Sequence, residues 1–478
     1  MDRPAMMRVL SVASECAPLI KTGGLADVVG ALPHALAGQD VEMRVLLPGY
    51  PKVTAETGGA REVARFPELF GGPARILSYG SRDLPLLILD APHLYDREGG
   101  IYGDGSGSDW DDNARRFAAL SLGAAYIAQD GAAGWRPDLV HCHDWQAGFA
   151  PYYLHKMRVG VPSVMTVHNM AFAGLVDEAH LRELKLQPED FHMGGFEFWG
   201  RISALKAGLV WSDKITTVSP TYARELAQEA FGMGFDGLIR QRQDDLVGIL
   251  NGIDTDLWNP AADIHAPPFR SPAGKSRAKK ALRQEMGLPD GDGPLAVVVS
   301  RLTEQKGLDL LLEALPAFLA RGGQIALLGT GSAAFESAWR LAAAQSEGVA
   351  VRIGYDERMS HLMIAGGDAI LVPSRFEPCG LTQLYGLRYG TVPVVARTGG
   401  LADTVIDAND AALRAGVATG ILHDPGSAEA VAAALGRLSD LFADEKCWPK
   451  VARNAMRHSV GWEGSATAYA ALYRSLMR

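Results

Sequence analysis

The residues with the most chemical content sit in a few short stretches. Ser374-Arg375-Phe376-Glu377-Pro378-Cys379-Gly380-Leu381 follows a strand-length apolar run at 369–372. Gly380 places the backbone N–H groups of Leu381, Thr382 and Gln383 at a helix N-terminus, a ready anion site. Glu377 beside it would repel a bare phosphate. It becomes useful if the ligand also carries hydroxyls, since a carboxylate accepts two sugar O–H bonds. The pair points to a sugar phosphate or nucleotide sugar; the plain alternative is a solvent-facing Glu on an ordinary strand–helix turn. Arg301 and Lys306 flank a second loop, 300–307. Two cations at one strand end can clamp a diphosphate, Arg as a fork and Lys as a point charge. They would remove the need for a metal on the leaving group; the plain alternative is a solvated charged turn.

Lys21-Thr22-Gly23-Gly24-Leu25-Ala26-Asp27 follows a strand-like run at 7–14 and opens a helix. Its Thr-Gly-Gly-Leu-Ala-Asp recurs letter for letter from Thr398 to Asp403, again between strand and helix. Either one half of the chain echoes the other or both copies bind similar groups. Lys21 alone reads as a surface lysine and gains meaning from the glycines beside it. His141-Cys142-His143-Asp144-Trp145 closes a strand at 138–142. A binuclear hydrolase would want His-x-His-x-Asp-His, whereas Trp145 and Gln146 fill the last two places, so no metal is expected. His141 reads as packed in the sheet. His143, Asp144 and Trp145 lie past the strand end, where Trp145 stacks on a sugar ring or fills the interdomain core. A strand at 163–167 ends in His168-Asn169.

Strand-like runs at 41–47, 86–89, 214–218 and 246–249 alternate with helical segments such as 113–127. That alternation predicts a parallel, doubly wound sheet. Residues 50–65 and 97–112 read as long loops of the functional or mobile kind. The Pro- and Gly-rich stretch 259–294 marks a domain crossover, after which strands recur at 296–300, 325–328, 351–353, 369–372 and 392–396. Beyond Asp424-Pro425 two helical segments follow, the last at 465–476. The expected fold is α/β: two Rossmann-like doubly wound domains, 1–258 and 259–460, offering strand-end loops to a central cleft.

Composition sets the outer bounds. A chain of 478 residues, 47% hydrophobic and 21% charged, fits a globular protein of about two to four domains. A net charge of −9 without a long basic run argues against nucleic acid. Four scattered cysteines with no CxxC suggest neither a disulfide framework nor a zinc ribbon. The apolar run 9–13 is strand-length, not a signal peptide or membrane span, so the cytoplasm is the expected compartment.

KTGGLADV, HCHDW, TVHNMAF, NGID, SRLTEQKG and SRFEPCGLTQLYGLRYG, in that order over nearly the whole chain, resemble the bacterial glycogen synthases and the related plant starch synthases. The resemblance implies a retaining glycosyltransferase of the GT-B type, moving glucose from ADP-glucose to the non-reducing 4-OH of an α-1,4-glucan. It implies an acceptor-side domain at 1–258, a nucleotide-sugar domain at 259–460 and a C-terminal helix, 461–478, crossing back to the first domain. Carried over by position, Lys21, Gly23, Gly24 and Asp27 approach the donor from the first domain. Arg301 and Lys306 hold the diphosphate, Glu377 takes glucose hydroxyls, and Cys379, Gly380, Leu381, Thr382 and Gln383 cradle sugar and phosphate. His168 sits at the reacting centre. Asp144 and Asn169 lie toward the acceptor, Trp145 counts among the substrate-binding residues, Asn251 lies near the glucose, and Tyr355 neighbours the adenine. Broader relatives carry a second Glu where this chain has Tyr385, so a ribose-binding carboxylate is missing there.

Retention by double displacement needs a carboxylate beneath the anomeric carbon, and no motif supplies one. Front-side attack is therefore expected, with the diphosphate taking the acceptor proton. A phosphorylase of the same fold would need a pyridoxal-phosphate lysine, for which no Lys has a recognisable setting. A sucrose or trehalose synthase differs in acceptor alone, and a non-catalytic glucan-binding protein would not need Lys21, Arg301, Lys306 and Glu377 together. No cofactor, metal, nucleic acid or membrane partner is expected.

Overall fold

The computed structural model describes residues 6–80, 84–105, 108–132 and 134–477. Residues 106–107 of the expected long loop, and the two termini of the expected domains, lie outside the described residues. The chain forms two compact units. The first comprises Met1–Val218, Ala223–Ile249 and Trp462–Arg478; the second comprises Ser219–Tyr222 and Leu250–Gly461.

The first unit carries β1 (Met7–Val12), β2 (Val41–Pro48), β3 (Arg61–Phe66), β4 (Ala74–Tyr79), β5 (Leu86–Asp90), β6 (Leu139–His143) and β7 (Ser163–Val167). It continues with the short β8 (Leu175–Val176), β9 (Glu197–Phe198) and β10 (Arg201–Ser203), then β11 (Lys214–Thr217) and β12 (Leu246–Gly248). The main sheet runs β12-β11-β7-β6-β1-β2-β5-β4-β3. It is parallel from β12 to β5, with helices on the crossovers; from β2 to β5 the chain returns through β3 and β4, which add an antiparallel edge. The strand at β3 falls inside the expected 50–65 loop, which also holds a short helix, Pro51–Glu56. As an edge strand β3 is wetted along its length, so its sequence lacks the apolar run that marked the inner strands. β8, β10 and β9 form a separate small sheet.

In the second unit, β13 (Leu295–Val299), β14 (Gln324–Gly329), β15 (Val349–Ile353), β16 (Ala369–Val372), β17 (Val392–Ala396) and β18 (Ile421–His423) pair in the order β15-β14-β13-β16-β17-β18, all parallel. Counted within the unit this is the 3-2-1-4-5-6 order of the dinucleotide-binding fold, and both units are Rossmann-like. Both sheet faces are covered. On one face Leu282, Met363 and Leu387 pack against Val297 and Ile370; on the other Leu311, Phe318 and Leu435 pack against Val298 and Ile325.

Residues 250–258, expected with the first unit, belong to the second. Ile253 N–H donates to Val460 O, and the Trp258 ring is stacked between His361 and Tyr385, with centroids at 3.8 and 3.9 Å. Past Pro425 there are three helices, not two: Ala428–Ala443, Trp448–Arg457 and Glu463–Ser475. The break before the second falls at Asp444, whose carboxylate accepts the N–H groups of Lys446 and Cys447. The third helix packs with the first unit: Tyr469 and Tyr473 join Val9, Leu32 and Leu139 in one core, and Tyr473 Oη lies 2.8 Å from His141 Nδ1.

Candidate functional site

Strand order decides where ligands go. In an open parallel sheet the crevice opens where the order reverses, beyond the carboxyl ends of the two strands that flank the reversal. In the second unit those strands are β13 and β16. Their following loops are 300–307 and 373–381, the two stretches singled out for their charges. The loops are tied together: Arg375 N–H donates to Gln305 O at 2.9 Å, Gln305 Nε2 to Phe376 O at 3.2 Å, and the Arg375 guanidinium pairs with Asp309. Gly307 has φ +64, and a Cβ there would lie 2.1 Å from Pro373 O. Only glycine lets the two loops approach this closely.

Lys306 Nζ reaches Glu377 Oε2 at 2.5 Å, and Ser374 Oγ donates to the same oxygen at 2.8 Å. The Glu377 and Lys306 side chains are 8% and 17% exposed, so the pair is screened little by water. Glu377 Oε1 takes no hydrogen bond from the described residues. Arg301 is exposed and forms no ion pair among the described residues. The helix Thr382–Tyr389 starts directly after this loop, with Leu381 as its N-cap residue. Gln383 Nε2 donates to Cys379 O and Gly380 O, both at 3.0 Å, and so braces the loop. Gln383 Oε1 and Asn251 Oδ1 are buried acceptors without a partner among the described residues. Burial pushes the Cys379 thiol up to about 12, against hydrogen bonds from Asn251 that pull it down. A thiol held neutral here acts as packing, not as a nucleophile.

The two Thr-Gly-Gly-Leu-Ala-Asp copies part company. A Cβ on Gly399 would fall 1.9 Å from Glu377 O, and one on Gly400 would fall 2.4 Å from Cys379 O. Gly400 N–H donates to Glu377 O and Pro378 O. The second copy is thus a backbone shelf under the Glu377 loop. Asp403 continues the support by accepting Thr221 N–H at 2.7 Å and Thr221 Oγ1 at 2.6 Å. In the first copy a Cβ on Gly23 would meet nothing within 4 Å, so this loop presents open backbone.

In the first unit the order reverses between β1 and β6, and the loops there are the Lys21-Gly23-Gly24 turn and the His143-Asp144-Trp145 turn. Glu15, not foreseen as functional, organises the first. Its buried carboxylate accepts Thr22 N–H at 2.5 Å, Thr22 Oγ1 at 2.7 Å, Gly23 N–H at 3.3 Å and Tyr102 Oη at 2.6 Å. An acid directly after an apolar strand was the signal available. Lys21 pairs with Asp27 at 2.8 Å. Asp144, with φ +53, accepts His168 N–H at 2.7 Å and Asn169 N–H at 3.4 Å, and so sets the turn after β7. Burial raises its carboxyl to about 7, opposed by those two hydrogen bonds. Trp145 packs edge-on to Phe117 at 5.1 Å and faces Gly174, where a Cβ would strike its ring at 2.6 Å.

Two of three neighbouring histidines form a chain that starts at Ser11. Ser11 Oγ lies 3.1 Å from His143 Nε2, and His143 Nδ1 lies 2.9 Å from His168 Nε2. His141 is fully buried between Thr166 Oγ1 and Tyr473 Oη. Both ring nitrogens of His141 and of His143 are therefore engaged. Desolvation holds His141 and His168 down to about 3 and His143 well below its ordinary value, so all three rings are neutral near pH ~7. Among the described residues no group of three or more His, Cys, Asp or Glu could hold a metal ion. Tyr355 is 72% exposed at the end of β15, and Tyr385 stacks on Trp258.

The chain is similar to known proteins along its length. The family model of the starch synthase catalytic domain matches residues 8–241, and that of glycosyl transferases group 1 matches residues 279–453. A glycogen synthase of Paracoccus denitrificans is 58% identical, over 98% of this chain and 100% of its own length. The chain belongs to the glycogen synthase family. A second glycogen synthase, from Jannaschia sp., is 57% identical over 99% of this chain and 100% of its own. Among solved structures, the catalytic domain of Starch Synthase IV from Arabidopsis thaliana, bound to ADP and acarbose, superposes with a TM-score of 0.88 at 31% identity, covering 99% of this chain and 100% of its own. The fold is the two-domain α/β architecture of GT-B glycosyltransferases, and the function is that of a glycogen synthase, a glycosyltransferase. Among the described residues no helix is long and apolar enough to cross a membrane.

Proposed function

We propose that this chain transfers glucose from ADP-glucose to the non-reducing 4-OH of an α-1,4-glucan with retention, elongating glycogen in the cytoplasm without metal or cofactor. The observation that carries this is the Lys306–Glu377 pair at the strand-order reversal. A carboxylate there calls for O–H donors, which a sugar supplies and a bare phosphate does not. Glu377 Oε1 is the acceptor for a glucose hydroxyl. The N-terminus of the helix Thr382–Tyr389, Lys306 and Arg301 supply positive potential for the diphosphate. The ADP and acarbose held by the Arabidopsis starch synthase support an adenine nucleotide and a saccharide as ligands here.

In the step itself the bond between C1 and the β-phosphate oxygen breaks. The acceptor O4 bonds to C1 on the same face, and its proton passes to the departing diphosphate oxygen. Lys306 and Arg301 stabilise the charge that grows on that oxygen. Neutral His168, held by Asp144 through its N–H, orients the glucose, and Lys21, Gly23, Gly24 and Asp27 contribute from the turn set by Glu15. Asn169 and Trp145 serve the acceptor, and Tyr355 serves the adenine. The test is incorporation of radiolabelled glucose into glycogen from ADP-glucose and from UDP-glucose. We expect ADP-glucose to be strongly preferred and the new linkage to be α. Preferential use of UDP-glucose, or a strict need for added divalent ion, would overturn the reading.

A further inference from the structure

The small sheet β8-β10-β9 holds a residue that the fold does not ask for. Trp199 and Gly200 form the two-residue connection between β9 and β10, with φ +53 and +76. Positive φ at both places is the turn that Asn-Gly favours. A bulky aromatic side chain in the left-handed region is strained, and Asn would avoid most of that cost. Trp199 is also 79% exposed, so it returns little by burial.

Around it the hairpin is firmly built. Phe198 stacks flat on Phe235, with centroids 4.1 Å apart and planes at 3°. Gly200 N–H donates to Glu197 Oε1 at 2.7 Å, Arg201 Nη2 to Leu175 O at 3.2 Å, and Lys206 Nζ to Met193 O at 2.8 Å and Glu197 O at 2.5 Å. Glu197 and Arg201, which flank the tip, are each hydrogen-bonded to backbone, and the tip side chain itself offers an uncharged π face. Strained, exposed, rigidly presented side chains mark recognition sites, not fold requirements. The small sheet is also continuous with the site: β8 follows directly on the 168–174 turn, whose Gly174 lies against Trp145. Phe172, in that turn, is 53% exposed.

We infer that Trp199 is a secondary docking point for one α-glucan chain, outside the reacting centre, with the indole stacked on the C–H face of a glucose ring. This rests on the α-glucan acceptor proposed above. A neutral, polyhydroxylated chain suits an uncharged aromatic tip, and stacking leaves the hydroxyls in water. Because the acceptor is a polymer, a second contact on the same particle raises the local concentration of its chain ends.

The test is Trp199→Asn, with Trp199→Phe beside it. Asn relieves the strain, so the melting temperature should hold or rise. Retardation in native gels containing glycogen should weaken by about fivefold or more, the scale of one lost aromatic stacking contact. The KM for glycogen should rise in proportion, while kcat/KM for maltotriose, a single short chain with no second end to dock, should stay. Trp199→Phe should keep part of the glycogen affinity. Unchanged glycogen affinity in Trp199→Asn overturns the inference, as does an altered oligomeric state with affinity intact, which would assign the tip to a second copy. A wild-type chain that does not elongate glycogen brings down the acceptor reading, and this one with it. A wild type that elongates glycogen beside an unaffected variant brings down the docking point alone.

Discussion

Replacing Glu377 by Gln tests the centre of the proposed chemistry. Oε2 holds Lys306 Nζ at 2.5 Å and Ser374 Oγ at 2.8 Å, and Oε1 takes no hydrogen bond from the described residues. Gln keeps the size and one acceptor oxygen but removes the charge. Hydrogen bonds to a charged group contribute about 1.5–3 kcal/mol each. Losing one at the transition state lowers kcat by about 10- to 10²-fold and losing two by about 10²- to 10⁴-fold, since each 1.4 kcal/mol or so is tenfold. ADP carries no glucose and should bind Glu377→Gln as well as wild type, or better, because Lys306 no longer has a carboxylate competing for it. The free variant should lose stability, because removing one partner of a poorly solvated pair leaves an uncompensated charge; partial exposure of Lys306 keeps the loss below the roughly 3–5 kcal/mol of a fully buried pair. Three measurements decide: turnover with radiolabelled ADP-glucose, ADP affinity by calorimetry, and the same pair in a Lys306→Ala background. Direct contact predicts non-additive kcat effects, with a coupling of about 0.5–3 kcal/mol. ADP affinity falling in parallel with turnover would mean that Glu377 merely shapes the phosphate loop. Near-normal turnover would refute the placement of the sugar altogether.

Arg301→Ala, with the fold intact, should lower kcat by about 10²-fold, the size of a lost transition-state stabiliser; unchanged kcat removes Arg301 from the mechanism. Exhaustive EDTA treatment should leave glucose transfer intact, and recovery only on adding Mg²⁺ or Mn²⁺ would contradict the two-cation clamp. Gly399→Ala puts a Cβ 1.9 Å from Glu377 O at φ +44, so it should cost both stability and turnover although Gly399 is proposed to touch no substrate; a silent Gly399→Ala would show that the shelf is dispensable. His141 sets an acid limit: it stays neutral in the fold down to about 3 and protonates in the unfolded chain near 6.5. The unfolded state binds the extra proton, so stability falls as pH drops through that window, by about 2 kcal/mol at pH ~5 from this residue alone. Denaturant midpoints that stay flat between those pH values would refute the burial argument.

Much of this molecule was legible from local pattern. β7, β16 and β17 lie where short apolar runs end at turn residues, because a strand buried on both faces must be apolar throughout. The loops carrying Glu377, Arg301 and Lys306 were readable as strand-end loops for the same reason. β3, half-wetted at an edge, and the third terminal helix left weaker marks. Only tertiary structure could separate the two Thr-Gly-Gly-Leu-Ala-Asp copies. Identical letters do not fix even the local turn, since Gly23 is extended at φ −159 while Gly399 has φ +44, and what a missing Cβ admits depends on what is packed above it: the backbone of residues 377–379 for Gly399 and Gly400, and nothing within 4 Å for Gly23. The same holds for the Lys306–Glu377 pair, for Glu15 gathering Thr22, Gly23 and Tyr102, and for the neutral histidine chain. Each depends on strand order bringing distant segments side by side, and on burial, which sets whether a charge is solvated. Periodicity records which face of an element is apolar; it does not record which other element covers that face.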